Sequence, residues 1–151
     1  LIDNEIKDKG EYQLTNAMEN MKRKGARFKA GAVDVWMDCG NKNAMVDTNT
    51  KVLGFLEGDR TLISTKGQRT NAVIIPPCFV GEGVDIIDSV VGPHVSVESG
   101  GRIAGSVVRR SILRAGVRVQ DAVLDNCMLG ESVEYAGAPA DLSLGDHSTI
   151  R

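Results

Sequence analysis

A chain of 151 residues with 18 Lys and Arg against 20 Asp and Glu carries a formal net charge of −2 and a pI near 5.7, which gives no bulk electrostatic case for nucleic acid or an anionic membrane surface as partner. No stretch reads as a secretory signal or as an apolar run long enough to span a bilayer. Cys39, Cys78 and Cys127 are odd in number and lack metal-ligand spacing, so they read as reduced core residues of a cytoplasmic protein.

The composition changes near residue 70, from helix-compatible charged stretches and the single Trp to β-branched residues and Gly, which predicts two segments, 1–70 and 71–151. Because the chain opens on Leu1 inside what reads as an ongoing fold, it is expected to be a piece of a longer protein. Residues 13–25 place Leu14, Ala17, Met18 and Met21 on one helical face, with Thr15 as N-cap and Gly25 at the stop. Residues 26–38 read as extended, and a second helix is predicted over 42–56 with Ala44, Met45, Thr48, Val52 and Leu53 facing inward. The polar stretch 57–71 reads as a linker with at most one short strand, and Pro76 and Pro77 mark the start of a new architecture. Two helices and a strand bury little area, so the first segment is expected to pack on something else.

From residue 78 onward the pattern belongs to neither a helix nor a hairpin sheet. Val80, Ile86, Val91, Val97, Ile103, Val108, Leu113, Val119, Leu124 and Leu129 form an aliphatic ladder with steps of five or six residues. Two places before each rung stands a small or β-branched residue: Cys78, Val84, Ser89, Val95, Gly101, Ser106, Ser111, Val117, Ala122 and Cys127. Three steps sum to coils of 16 or 17 residues, the signature of a hexapeptide parallel β-helix, in which a triangular prism stacks like residues one coil apart. The expected columns are Val80, Val97, Leu113, Leu129; then Ile86, Ile103, Val119, Tyr135; then Val91, Val108, Leu124. Residues 134–141 read as a loop excursion before Leu144 and Ile150 resume the rhythm. A prism exposes flat walls and open coil ends, so a homo-oligomer, with a trimer favoured, is expected.

Two short motifs precede the coils: Gly10, Glu11, Tyr12, Gln13, Leu14, Thr15, Asn16, and then Trp36, Met37, Asp38, Cys39, Gly40, Asn41. In this order, ahead of hexapeptide coils, they resemble the C-terminal part of bacterial sugar-1-phosphate nucleotidyltransferases, the group that includes glucose-1-phosphate thymidylyltransferases. The resemblance implies a mainly β fold, a left-handed parallel β-helix preceded by a short α+β remnant of the nucleotidyltransferase domain. It further implies a Mg²⁺-dependent reaction of a nucleoside triphosphate with a sugar 1-phosphate. Glu11, Gln13 and Thr15 would then hydrogen-bond sugar hydroxyls, Trp36 would lie beside the sugar, and Asp38 would bind the metal. Mg²⁺ prefers an octahedral oxygen shell, so Asp38 would need a partner carboxylate; the resemblance puts that carboxylate, the Gly-rich phosphate loop and a Lys in a nucleotide-binding domain not contained in these residues. The fragment alone is therefore expected to be inactive. Asn16 stands where many relatives have Asp, and Asn41 where many have Thr.

Simpler readings of the same residues stand beside these. Asp38 before Gly40 suits a turn or cap, Trp36 suits a core aromatic, and Glu11 suits a solvated surface. Hexapeptide prisms also build acyl-coenzyme A-dependent acyltransferases with a His base, or serve as structural modules; His94 and His147 are the available imidazoles, both beside Gly or Pro at expected corners. Arg102, Arg109, Arg110, Arg114 and Arg118 form a basic cluster that could gather on one edge, as a salt-bridged face or as an anion site.

Overall fold

The structure, a computed structural model, describes residues 7–137. The chain forms two compact units, Leu1–Trp36 and Met37–Arg151. The compositional change near residue 70 thus falls inside the second unit, and residues 37–70 share that unit with the repeats.

In the first unit, Asp8 and Glu11 exchange both backbone hydrogen bonds, at 2.9 and 3.0 Å, around a turn in which Lys9 and Gly10 have φ of 52° and 85°, a geometry suited to Gly and tight hairpins. Helix α1 follows (Leu14–Arg23) with Gln13 at its N-cap; Thr15, expected as the cap, lies instead in the first turn. The helix stops by a Schellman motif: Gly25 N donates to Lys22 O at 2.9 Å and Ala26 N to Met21 O at 3.0 Å, which needs the left-handed conformation that Gly25 adopts. Leu14, Met18 and Met21 remain exposed, and α1 buries no residue. Residues 26–38 join no strand ladder, and Trp36 is 82% exposed, so it is no core aromatic of the described residues.

The second unit begins with Asn41 capping helix α2 (Lys42–Phe55), its Oδ1 accepting from Ala44 N at 3.0 Å. Val46 and Leu53, seven residues apart and hence on one helical face, are buried. Ala44, Met45 and Thr48 are half-buried and Val52 is exposed, so the inward face is turned toward Val46 relative to the expected one.

The described residues beyond α2 wind chiefly into a parallel β-solenoid of about four turns. The first wall stacks β2 (Cys78–Val80), β4 (Val95–Val97), β7 (Ile112–Leu113) and β10 (Met128–Leu129). The second stacks the start of β3 (Asp85–Val91) on β5 (Arg102–Ala104), β8 (Arg118–Gln120) and β11 (Glu134–Ala136). The third stacks the end of β3 on β6 (Val107–Arg109) and β9 (Val123–Asp125). The register matches the aliphatic columns: Val80 with Val97, Leu113 and Leu129; Ile86 with Ile103, Val119 and Tyr135; Val91 with Val108 and Leu124. Every rung from Val80 to Leu124 is buried. Tyr135 keeps its place in the register but is exposed. Cys78 is buried and Cys127 half-buried at inward slots, whereas Cys39 is exposed and is not a core residue.

The solenoid begins one coil earlier than Pro76. Ile63 bridges to Val80, and β1 (Arg69–Ile74) pairs with β3, setting Arg69 over Ile86 and Ile74 over Val91. The expected linker is thus a first coil whose composition differs because it closes the prism. Arg69 takes a rung position, and its guanidinium donates to the carbonyls of Val84, Gln68 and Ser64. A charged cap of this kind shields an open solenoid end. At the other end β11 extends the second wall through Ala136, so residues 134–136 continue the coil rather than leave it. Ala138, Pro139, Leu144, His147 and Ile150 lie outside the described residues.

The corners explain the non-aliphatic positions. Asp88, Gly105 and Asp121, one coil apart, have φ of 48°, 58° and 49°, a left-handed region that Gly, Asn and Asp adopt most readily. Gly67, with φ of 118°, has no room for a side chain: a Cβ there would lie 2.2 Å from Val84 O. Beside one corner runs a buried hydroxyl relay. Ser89 Oγ donates to Ile87 O at 2.6 Å and accepts from Ser106 N at 3.0 Å; Ser106 Oγ donates to Ala104 O at 2.7 Å and accepts from Ala122 N at 3.0 Å. Ser111 repeats the pattern, donating to Arg109 O and accepting from Cys127 N. These slots require a hydroxyl as well as small volume, because the corner leaves backbone groups that a buried site must satisfy.

Candidate functional site

The residues expected to touch sugar and metal are distributed over both units. Glu11, Gln13, Thr15 and Trp36 are carried by the first, Asp38 by the second. Within the first unit, the hairpin bond of Glu11 and the cap position of Gln13 gather Glu11, Gln13 and Thr15 around the start of α1. Glu11 and Thr15 are exposed and Gln13 is half-buried. The helix has neither a side-chain cap nor an acidic residue in its first turn. Gln13 O takes the N–H groups of Asn16 and Ala17 at 3.1 and 3.2 Å, leaving the earlier amides of the turn facing outward for a polar ligand or water. Lys7 Nζ lies 5.1 Å from the ring centre of Tyr12, within cation–π range.

Asp38 stands in the loop leading to α2. Its Oδ1 accepts from Gly40 N at 3.0 Å, and its carbonyl accepts from Thr48 Oγ1 at 3.0 Å. The turn reading of this residue is therefore realised: an Asx turn followed at once by the Asn41 cap. The same contacts fix the carboxylate while leaving Oδ2 without a hydrogen bond among the described residues, so it is an exposed, oriented oxygen able to supply one metal ligand. No group of three or more His, Cys, Asp or Glu suited to a metal occurs among the described residues. Asp38 fits Mg²⁺ as a single ligand only, the remainder having to come from water, phosphate or other residues.

The arginines do not gather on one edge. Arg102 and Arg118 are register neighbours on the outer face of the second wall, with Asp85 and Glu134 at the flanking positions of the same column. Arg102 lies 3.9 Å from Asp85 and Arg118 3.5 Å from Glu134, so the two stacked guanidiniums each face a carboxylate on the side away from the other. A cleft of about 260 Å³ opens on this column, with Ala104, Gln120 and Tyr135 among its walls. Arg109 and Arg110 share Asp125 at 3.7 and 2.8 Å, and Arg114 meets Glu98 at 2.8 Å. The Arg110 hydrogen bond holds the Asp125 carboxyl below the usual aspartate range. The salt-bridged reading thus holds for every member of the cluster.

His94 occupies a corner with φ of 58°. Its N donates to Pro77 O at 2.7 Å and its carbonyl accepts from Asn49 of α2 at 3.5 Å, so backbone contacts define its place. The sequence reading overlooked Asn49, which also accepts from Ser96 Oγ at 2.6 Å, and Lys42, which donates to Asn126 O at 2.8 Å. These bonds lay α2 along the first wall, whose outward column is Phe79, Ser96, Ile112 and Met128. The signal was present in that column, three of whose four members are apolar and call for a cover.

The described residues thus form a parallel solenoid preceded by an Asx turn and a polar helix start. No family model matches the chain. It is 29% identical to the glucose-1-phosphate thymidylyltransferase of Streptomyces antibioticus over 94% of its length, and 25% identical to that of Streptomyces griseus over 93%. The matched stretch is 46% and 45% of those relatives, so the chain spans less than half the length of the curated relatives it matches. The likeness to sugar-1-phosphate nucleotidyltransferases read from the motifs is thereby found across almost the whole chain. No helix among the described residues is long and apolar enough to cross a membrane.

Proposed function

We propose that this chain is the C-terminal part of a sugar-1-phosphate nucleotidyltransferase, with the residues ahead of Ile63 finishing the catalytic domain and the coils from Ile63 onward forming an oligomerising solenoid. The observation that carries the reading is the likeness to two glucose-1-phosphate thymidylyltransferases over 93–94% of the chain and 45–46% of those proteins. In the parent reaction a phosphate oxygen of the sugar 1-phosphate attacks the α-phosphorus of a nucleoside triphosphate, and pyrophosphate leaves. Two anionic reactants meet, so the chemistry is mainly positioning and charge stabilisation. Glu11, Gln13 and Thr15 hold sugar hydroxyls at the start of α1, and the exposed Trp36 ring supplies an apolar face for the sugar. Asp38, oriented by Gly40 and Thr48, offers Oδ2 to Mg²⁺, which when bound neutralises the charge gathered between the phosphates. The solenoid joins copies into a trimer in the cytoplasm.

The test is an assay of pyrophosphate release from nucleoside triphosphate and sugar 1-phosphate, run on the full-length protein and on the 151-residue chain. The expected result is NDP-sugar from the former and none from the latter. Synthesis by the short chain, or none by the full-length protein across the common hexose 1-phosphates, contradicts the proposal.

A further inference from the structure

The three walls of the solenoid present different outer faces. The first is apolar and lies under α2. The second carries the Asp85, Arg102, Arg118, Glu134 column and is solvated. On the third, strand alternation turns Val91, Val108 and Leu124 inward and their preceding neighbours outward. The outward residues fall in one register column, Val73, Val90, Val107 and Val123, with Val73 and Val123 exposed by 53% and 72%. Four β-branched side chains, stacked about 4.8 Å apart, make an apolar stripe roughly 15 Å long on a flat sheet. A groove of about 270 Å³ runs beside it, lined by Asn71, Asp88 and Gly105 among others.

The edges of this stripe differ in charge. One is the left-handed corner bearing Asp88 and Asp121, both exposed. The other carries Arg109 and Arg110 against Asp125; Lys42 and Asp47 of α2, which lie toward Asn126 and Arg110, add one charge of each sign. One edge is therefore net negative and the other net positive. A rotation axis parallel to the prism sets the acidic edge of one copy against the basic edge of the next, whereas an axis across the prism sets acid on acid. We propose that the third wall is the face through which copies of this chain associate, prisms parallel, with Val73, Val90, Val107 and Val123 as its apolar centre. A stable interface buries about 800 Å² per partner, more than four valines supply, so both charged edges belong to the contact. The inference rests on the reading that the solenoid self-associates, and is independent of the sugar and metal roles.

Sedimentation equilibrium of the 151-residue chain at micromolar concentration tests it, with far-UV circular dichroism and the urea midpoint confirming that each variant is folded. The wild-type chain is expected to be oligomeric. Val107→Lys, which places an uncompensated charge at the centre, should weaken association about a hundredfold, while Ala136→Lys on the second wall should leave it unchanged. Asp88→Asn with Asp121→Asn keeps residues that tolerate the left-handed corner, and should weaken association several-fold. A monomeric wild type overturns the self-association reading itself. An oligomer indifferent to Val107→Lys overturns the assignment of the face, and an oligomer strengthened or unchanged by the paired Asn substitutions overturns the parallel arrangement.

Discussion

Replacing Ser106 by Ala removes one hydroxyl and strands one backbone group, the Ala122 N–H it accepts from, while the Ala104 carbonyl keeps its bond from Asp121 N. Unsatisfied buried groups cost about 1–3 kcal/mol, so urea unfolding of Ser106→Ala should show a loss of that order, although the substitution conserves small size. Ile103→Ala, deleting a fully buried rung, should cost about 2–5 kcal/mol. The thiols should separate by reactivity. Cys39 is exposed, whereas Cys78 is buried and its burial raises the thiol above its ordinary value, so a disulfide reagent at mild alkaline pH should label Cys39 at once and Cys78 only on unfolding. Asp125, held low by Arg110, contributes stability that is complete above the unfolded aspartate range and is lost as pH falls through its lower folded value. Asp125→Asn should therefore flatten the acid limb of a stability-versus-pH profile below about pH 4, with a small amplitude because the pair is exposed.

At the scale of elements, α2 depends on its cap and its seat. Asn41→Ala removes the acceptor for Ala44 N and should cost about 0.5–2 kcal/mol, read as a lowered unfolding midpoint of the full chain. The β-strands of the solenoid were legible because each needs only one large inward residue and a small or β-branched one two places earlier, a rule that Ile86, Ile103 and Val119 obey with Val84, Gly101 and Val117. The first coil was not, because Arg69 fills a rung with a charge and satisfies it with three carbonyls, a contact no periodicity announces. The face of α2 was misjudged for a related reason. Val46 and Leu53 are selected by the wall they meet, and Thr15 lost the cap to Gln13 because the hairpin closed by Glu11 fixes where α1 starts.

For the whole molecule, the sequence revealed the scaffold more fully than the candidate site. Stacked coils repeat one local pattern, so ten rungs testify to the same fold, whereas Glu11, Gln13, Thr15, Trp36 and Asp38 are single residues of a centre that the reading extends beyond this chain. Burial separates the two groups: the rungs are enclosed by their own repeats, while Trp36 and Asp38 are exposed. The division of labour that follows, chemistry before the solenoid and assembly along it, is tested most directly at Asp38. Asn at this position can still accept from Gly40 N and keep the Asx turn, but it removes the charge offered to Mg²⁺. With the full-length protein, Asp38→Asn should lower kcat about a hundredfold or more while the unfolding midpoint of the 151-residue chain stays where it is. Unchanged kcat in that variant would show that Asp38 only turns the chain, and would contradict the account.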